Sequence, residues 1–343
     1  MKILVTGGSG YIGSVTLARL LQAGHRVHVF DNLERGHREA LPPGIPLTVG
    51  DLRDAAAIAD TMAAVRPDAV MHFAAYALVG ESMRQPELYF VNNVTGGINL
   101  LEAMRAAGVK QIVFSSSCAT YGEPGSADID ESTLQSPTNP YGESKLIFEK
   151  MLRWYSGIHG FRTIALRYFN ACGATETLGE DHADETHLIP LVLRVALGQS
   201  PHVKIFGDDY DTPDGTNVRD YVHVGDIARA HVAAAKRLMA GEPIQAAYNL
   251  GSGDGLSVKQ IMDAMVRVTG HDFTPEIGPR RAGDPDRIQT ADPPEQLGVA
   301  VQTAVAEPAA RLSPPDVDDE LDRHVDAVPL DLHRAITSVS DRH

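Results

Sequence analysis

Cysteine is almost missing from this chain of 343 residues, which holds only Cys118 and Cys172. A pair so sparse builds no disulfide framework and repeats no metal-ligand spacing, so both read as reduced thiols and no metal is expected. Long apolar runs are missing too, and none approaches the roughly 20 residues that a membrane span needs. Positive charge is in deficit, with 30 Lys and Arg against 45 Asp and Glu and a formal net charge of −15. That balance excludes a general coat for nucleic acid or an anionic membrane. A phosphorylated ligand must then be held locally, by placed amides and arginines. The opening Met1-Lys2-Ile3-Leu4-Val5-Thr6 lacks the marks of a secretory signal, so the cytoplasm is the expected location.

What is present is an alternation. Ile3–Val5, Val27–Phe30, Leu47–Val49, Ala69–Phe73, Ile112–Ser115 and Thr163–Arg167 are short apolar or β-branched runs. Between them lie helix-like segments: Ser14–Ala23, Ala55–Val65, Leu88–Ala107 and Tyr141–His159. Short buried strands separated by helices predict an α/β fold with a doubly wound parallel sheet. The expected layout is a dinucleotide-binding unit over residues 1–173, to which parts of 219–257 return, and a smaller α/β substrate unit over 174–292. In the second unit Gly179–Thr186 reads as a polar, acidic loop. Leu188–Leu197, Val224–Met239 and Val258–Thr269 read as helices, and Ala247–Gly251 as a strand.

Gly7-Gly8-Ser9-Gly10-Tyr11-Ile12-Gly13 follows the first strand and opens the first helix. Glycines permit the tight turn and let backbone amides approach a diphosphate, while the helix N-terminus adds positive potential. A lone glycine motif is weak; here a strand precedes it, a helix follows, and Asp31 ends the second strand. Asp31 can accept hydrogen bonds from an adenosine ribose and would repel a 2′-phosphate, which favours NAD over NADP. Asp51 and Leu52 end the third strand, where an adenine would lie. Phe73, Ala74 and Ala75 end the fourth, where small residues let a cofactor cross the sheet edge. His72 reads as a core histidine.

Tyr141 and Lys145 stand four residues apart and so share one helix face. An ammonium and a positive nicotinamide ring both favour the phenolate, and so predict a Tyr141 pKa below its ordinary value near 10. Ser115-Ser116-Ser117 ends the fifth strand, on the edge that faces the cofactor cleft, where a serine can bond the hydroxyl being oxidised. Any one of these signals recurs by chance; the ordered set is far more specific.

The motifs carrying that set are VTGGSGYIGS at 5–14, DNL at 31–33, HFAA at 72–75, VGES at 79–82, NNV at 92–94, SSSCATYGE at 115–123, SPTNPYGESK at 136–145 and LRYFNACGA at 166–174. They continue with THLIP at 186–190, IFGDDYDTPDGTNVRDYVHVGDIARAH at 205–231, YNLGSG at 248–253 and RRAGDP at 280–285. Over residues 1–290 the chain resembles the extended short-chain dehydrogenase/reductase family and, within it, the UDP-galactose 4-epimerases. The resemblance implies that Gly7, Gly10, Tyr11, Ile12, Gly13, Asp31, Asn32, Asp51, Leu52, Phe73, Ala74, Ala75, Asn92, Tyr141, Lys145 and Tyr168 touch NAD. It implies that Ser117 holds the sugar O4, that Tyr141 is the acid/base, and that Lys145 tunes Tyr141 and grips the nicotinamide ribose. Asn170, Leu188 and Tyr221 would line the sugar and uridine pocket, with Ile205 and Phe206 against the uracil. Arg219 and Arg281 would meet the diphosphate of a UDP-sugar, and Asp284 the uridine ribose. The implied assembly is a homodimer through helices matching Leu88–Ala107 and Tyr141–His159, with Phe90, Ile98, Leu101, Ile147, Phe148 and Met151 as its apolar candidates.

Sugar 4,6-dehydratases of the same family use an Asp-Glu pair after the strand-end Ser or Thr. Cys118-Ala119 stand there in this chain and exchange no proton as carboxylates do, which argues against a dehydratase. A pentose or N-acetylated substrate is a closer rival; a catalytically impaired NAD-binding sensor is a third reading, against which the intact Ser117, Tyr141 and Lys145 argue. Ile288, a non-aromatic residue after the RRAGD motif, implies some tolerance of N-acetyl groups. After Asp292 the resemblance stops. The last lysine is Lys259 and the last aromatic Phe273, while prolines recur from Pro293 to Pro329. Such a stretch has little apolar surface to set against its ordering entropy, so residues 294–343 are expected to pack poorly, in the manner of a shifted reading frame.

Overall fold

The computed structural model describes residues 1–291, apart from 126–127, 184, 273 and 282–283. The expectation for the tail, residues 294–343, lies outside the described residues.

Fourteen strands follow in chain order among the described residues: β1 Lys2–Thr6, β2 Arg26–Asp31, β3 Leu47–Val49, β4 Ala69–His72, β5 Gln111–Ser117, β6 Asp128–Ile129, β7 Arg162–Tyr168, β8 Asn170–Cys172, β9 Lys204–Phe206, β10 Val218–His223, β11 Ala247–Leu250, β12 Gly255–Ser257, β13 Glu276–Gly278 and β14 Arg287–Thr290. The α-helices are α1 Tyr11–Gln22, α2 Ala55–Val65, α3 Val79–Ser82, α4 Pro86–Tyr89, α5 Gly96–Ala107, α6 Pro140–His159, α7 Leu188–Ala196, α8 Val224–Ala240 and α9 Val258–Thr269.

Seven strands form one parallel sheet in the order β3-β2-β1-β4-β5-β7-β11. The order reverses between β1 and β4, and there a doubly wound Rossmann sheet binds its ligand at the carboxyl edge. Side chains alternate across the strands. Ile3 and Val5 join Leu17 and Leu20 of α1 and Ala230 and Leu238 of α8 on one face. Leu4 points the other way, into Met62, Leu100, Phe148 and Leu152 from α2, α5 and α6. Each of the larger of these side chains, once buried, contributes about 1.5–3 kcal/mol.

Two differences from the sequence reading stand out. The helix expected over Leu88–Ala107 is continuous but not uniform: α4 ends at Tyr89, and Phe90–Thr95 widen into a π turn before α5. Asn93 lies within this π turn. Its side chain accepts from the Tyr76 amide at 2.9 Å and donates to Ser144 Oγ at 2.9 Å, tying this turn to α6. Leu101 and Phe148 are not on a docking face; they are buried in the chain's own core. The exposed apolar side chains of these helices and the π turn are Phe90, Val91, Ile98, Trp154 and Ile158.

Beyond the large sheet, β10 gathers strands from far along the chain, pairing with β8, β12 and β14, and β9 pairs with β13. Helices α7 and α9 cover this part through Val192, Ile261, Met262 and Met265.

Candidate active site

The loop after β1 turns on Gly7, whose φ of +73° suits glycine, and a Cβ there would overlap the backbone of Ala74. Gly10 caps α1 in an extended conformation with no side-chain partner, and Gly13 is buried in the first turn. The first amides of α1, from Tyr11 onward, therefore keep their donors for an outside acceptor. A Cβ built on Gly10 meets nothing closer than 3.6 Å, so the loop leaves room beside Gly10. No acidic residue stands in the first turn of α1. A diphosphate fits this cradle.

Asp31 flanks it. One carboxylate oxygen accepts from the Ser9 amide at 3.0 Å and the other from the Leu33 amide at 2.9 Å. Lone pairs remain for two ribose hydroxyls. The nearby arginines are engaged: Arg35 pairs with Glu81 and Arg53 with Asp51 and Glu34. Arg53 and Asn32 together hold the Asp51 carboxyl down at about 2. Arg35 and Arg53 are thus held by carboxylates, and Asp31 with its open lone pairs suits NAD. Leu52 is buried below this edge, while Phe73, Ala74 and Ala75 are half-exposed along it and Asn92 is buried in the π turn.

The residues expected to react gather at the carboxyl end of β5. Asn139 caps α6 by accepting from the Gly142 amide at 2.8 Å, and Pro140 takes the first helical position, where its missing N–H costs nothing. Tyr141 follows at once and is fixed by this start. Ser117 ends β5 with its Oγ accepting from the Ala119 amide at 3.1 Å. Lys145, one turn beyond Tyr141, donates to the Ser115 carbonyl at 2.8 Å, with its ammonium 5.0 Å from the Phe114 ring centre and 5.8 Å from that of Tyr141. Tyr168 bonds Ser115 Oγ.

Burial dominates the protonation of this group. It pushes Tyr141 up to about 12, against the opposing pull of the Ser117 hydroxyl. It pulls Lys145 down to about 7, with Glu149 pushing back. The expected lowering of Tyr141 therefore does not appear in the chain by itself, because desolvation outweighs its neighbours. Cys118 is pushed up to about 12 by burial, so it supplies no thiolate beside Ser117. His72 is buried, bonds Thr6 Oγ1 at 2.8 Å and is pulled down to about 3, a neutral core residue as expected.

A model of the NAD dependent epimerase/dehydratase family matches residues 3–251. The chain belongs to this family. It is 50% identical over 290 residues to the UDP-glucose 4-epimerase of Lacticaseibacillus casei, which spans 84% of this chain and 87% of that relative. The crystal structure of UDP-glucose 4-epimerase from Brucella ovis in complex with NAD superposes with a TM-score of 0.83 at 46% identity, covering 88% of this chain and 93% of that one. The enzyme from Bifidobacterium longum in complex with NAD+ and UDP gives 0.81 at 38% identity, with 88% and 94% covered. NAD is the cofactor of the family.

The implied substrate residues divide. Arg219 and Asp284 come together: the guanidinium bonds the carboxylate and also donates to the Pro285 carbonyl at 2.8 Å, while Asn217 Nδ2 reaches Asp284 at 2.9 Å. Arg281 stacks on the Phe206 ring at 3.9 Å. Ile205 and Tyr221 are buried in the cluster under α7 and α9, while Asn170, Leu188 and Phe206 are half-exposed. The Tyr11 hydroxyl donates to the Gly173 carbonyl at 2.5 Å.

Sequence reasoning missed the polar network behind the site. Glu149, one turn past Lys145, forms a buried ion pair with Arg167 at 2.6 Å and accepts from Ser116 Oγ at 2.6 Å. Arg167 also donates to Tyr121 OH at 2.8 Å, and Tyr121 donates to Asn249 at 2.7 Å. The available signal was a charge within each of two apolar faces: Arg167 in the strand run and Glu149 on the inner face of α6.

Proposed function

We propose that this chain is an NAD-dependent UDP-glucose 4-epimerase, interconverting UDP-galactose and UDP-glucose through a 4-keto sugar. The observation that carries the reading is the grouping of Ser117, Tyr141 and Lys145 on the sheet edge that also holds the uncapped start of α1, with no carboxylate at 118 or 119. Bound NAD supplies the redox chemistry, taking a hydride from the sugar and giving it back. Tyr141 accepts the O4 proton and returns it; Ser117 orients O4 by hydrogen bonding; Lys145 and the nicotinamide charge together offset the burial that raises Tyr141. Cofactor contacts come from the Gly7–Gly13 loop, Asp31, Asn32, Asp51, Leu52, the Phe73–Ala75 edge, Asn92 and Tyr168.

Asn170, Leu188, Ile205, Phe206 and Tyr221 form the sugar and uridine pocket in this reading. Arg219 and Arg281 neutralise the diphosphate, so Arg219 turns from Asp284 when substrate arrives and Asp284 takes the ribose. The half-exposed Ile288 packs near Tyr121 and Phe169, and its lack of an aromatic ring supports some turnover of N-acetylated UDP-sugars. Phe90, Val91, Ile98, Trp154 and Ile158 support a homodimer through α5 and α6. Among the described residues no helix is long and apolar enough to cross a membrane.

The test is turnover of UDP-galactose by the purified chain, with the bound nucleotide extracted and identified. UDP-glucose as product, with mainly NAD(H) in the extract, is the expected result. No conversion, or mainly NADP(H), overturns the reading.

A further inference from the structure

The polar segment before α7 brings four side chains to one point. Glu180, His182, Glu185 and His187, in the spacing Glu-x-His-x-x-Glu-x-His, each offer a donor atom, and all four atoms lie within 4.8 Å of one another. Glu180 Oε1 is 3.2 Å from His182 Nδ1 and 2.6 Å from His187 Nδ1; the Glu185 oxygens are 3.5 Å and 3.2 Å from the same two nitrogens. The two carboxylates are the buried members, with side chains 8% and 1% exposed. Two buried carboxylates side by side require positive charge between them. Among the described residues no lysine or arginine forms an ion pair with either. His182 Nδ1 is itself buried and makes no hydrogen bond of acceptable angle, although both carboxylates are near it.

The geometry points to a divalent-cation site formed by Glu180, His182, Glu185 and His187, with zinc the ion that suits it. Two imidazole nitrogens with two carboxylate oxygens match the mixed N/O donors that zinc takes in tetrahedral sites, whereas calcium and magnesium favour all-oxygen shells. A dication with two carboxylates and two neutral imidazoles leaves the buried cluster without net charge. Four protein ligands leave no open position, so the ion is structural. The surroundings orient the donors, as outer-shell partners do. Glu185 Oε1 accepts from the Thr186 and His187 amides at 2.7 Å each, and the His182 ring stands edge-on to Tyr11, 6.5 Å between centres. The neighbouring Asp181 carbonyl is bonded to His37 Nε2 at 2.9 Å, and the His37 amide donates to the Ser9 carbonyl at 3.0 Å. His187 is also the residue that precedes α7. The ion therefore fastens the start of α7 to the glycine loop, and it takes no part in the reaction.

The test uses the untagged full chain, stripped with a chelator and titrated with Zn²⁺ against a chromophoric competitor, with Tm followed in parallel. One zinc per chain and a rise in Tm are expected, and Co²⁺ in its place should give the intense visible bands of a tetrahedral site. Glu185→Gln and His182→Ala should each weaken zinc by at least the roughly 10–100-fold that losing an outer-shell partner costs, while NAD content shows that the variants fold. Two outcomes overturn the proposal. Neither stoichiometric binding nor a Tm shift in the wild type would make the quartet a self-contained cluster of protonated imidazoles and carboxylates. Zinc binding unchanged in both variants would put the ion elsewhere.

Discussion

A Cβ on Gly142 would collide with the carbonyl oxygen of Ala119. The first turn of α6 can lie against the Cys118–Thr120 turn only because residue 142 has no side chain, and that closeness brings Tyr141 to Ser117. Gly142→Ala should force the helix start away from the turn. A misplacement near 1 Å can cost about 100-fold in rate, so kcat for UDP-galactose should fall at least tenfold while NAD stays bound. Steady-state turnover within twofold of wild type would remove the positional role of Gly142.

Tyr141→Phe deletes the hydroxyl that moves the proton and leaves the ring packed near Tyr89, 6.3 Å between centres. It should lower kcat by several orders of magnitude with NAD retained, beyond the roughly 10²–10⁴-fold typical of acid–base catalysis. Ser117→Ala should cost less. Lys145→Ala should reduce both turnover and the NAD that survives purification. A Tyr141→Phe protein within tenfold of wild type would sink the assigned mechanism.

The Glu149–Arg167 pair should show itself in stability. Arg167→Met leaves a buried carboxylate with Ser116 and Gln135 as its hydrogen-bond partners among the described residues. Breaking such a pair from one side costs about 3–5 kcal/mol, whereas replacing both members with apolar residues is often neutral. Denaturant unfolding should therefore rank Arg167→Met well below the double variant Glu149→Leu/Arg167→Met. Equal losses in the two would mean that the network matters less than the packing around it.

Lys145 also predicts a pH dependence. Its folded pKa, about 7, lies below its ordinary 10.5. Below the lower value the folded chain must bury a charge that the unfolded chain keeps in water. Between the two values the unfolded chain holds the proton and the folded chain does not, so stability rises with pH. In NAD-stripped protein, Tm of wild type should gain on that of Lys145→Met between about pH 6.5 and 8.5. A constant gap across that range would mean that Lys145 keeps an ordinary pKa in the fold.

Much of the site was legible because its parts are local. The glycine loop works through residues within one turn, and Tyr141 and Lys145 need only helical spacing. The short strands around β10 were not legible. β8, β12 and β14 are three or four residues long and become strands by pairing with β10, from distances of about 50, 40 and 70 residues along the chain, with β14 held on its other side by β6. In the π turn at Phe90–Thr95, Asn93 reaches Tyr76 and Ser144, which no periodicity reveals. Leu101 and Phe148 were misplaced for a related reason: helical spacing finds an apolar face but does not say whether sheet or partner covers it. The Glu-x-His-x-x-Glu-x-His spacing was visible and passed over as a polar loop.

The position of β11 bears on how the chain is made. The last strand of the seven-stranded sheet pairs with β7, yet some eighty residues separate their partnered positions, from Ala165↔Ala247 to Tyr168↔Leu250. During synthesis β7 emerges well before the strand that covers its outer edge, and for that interval an apolar strand is open to pairing with other chains. A fragment ending near residue 173 would keep that open edge permanently, however complete its nucleotide loop. Ribosome pausing or early termination between these two strands should therefore yield aggregate rather than a small working enzyme.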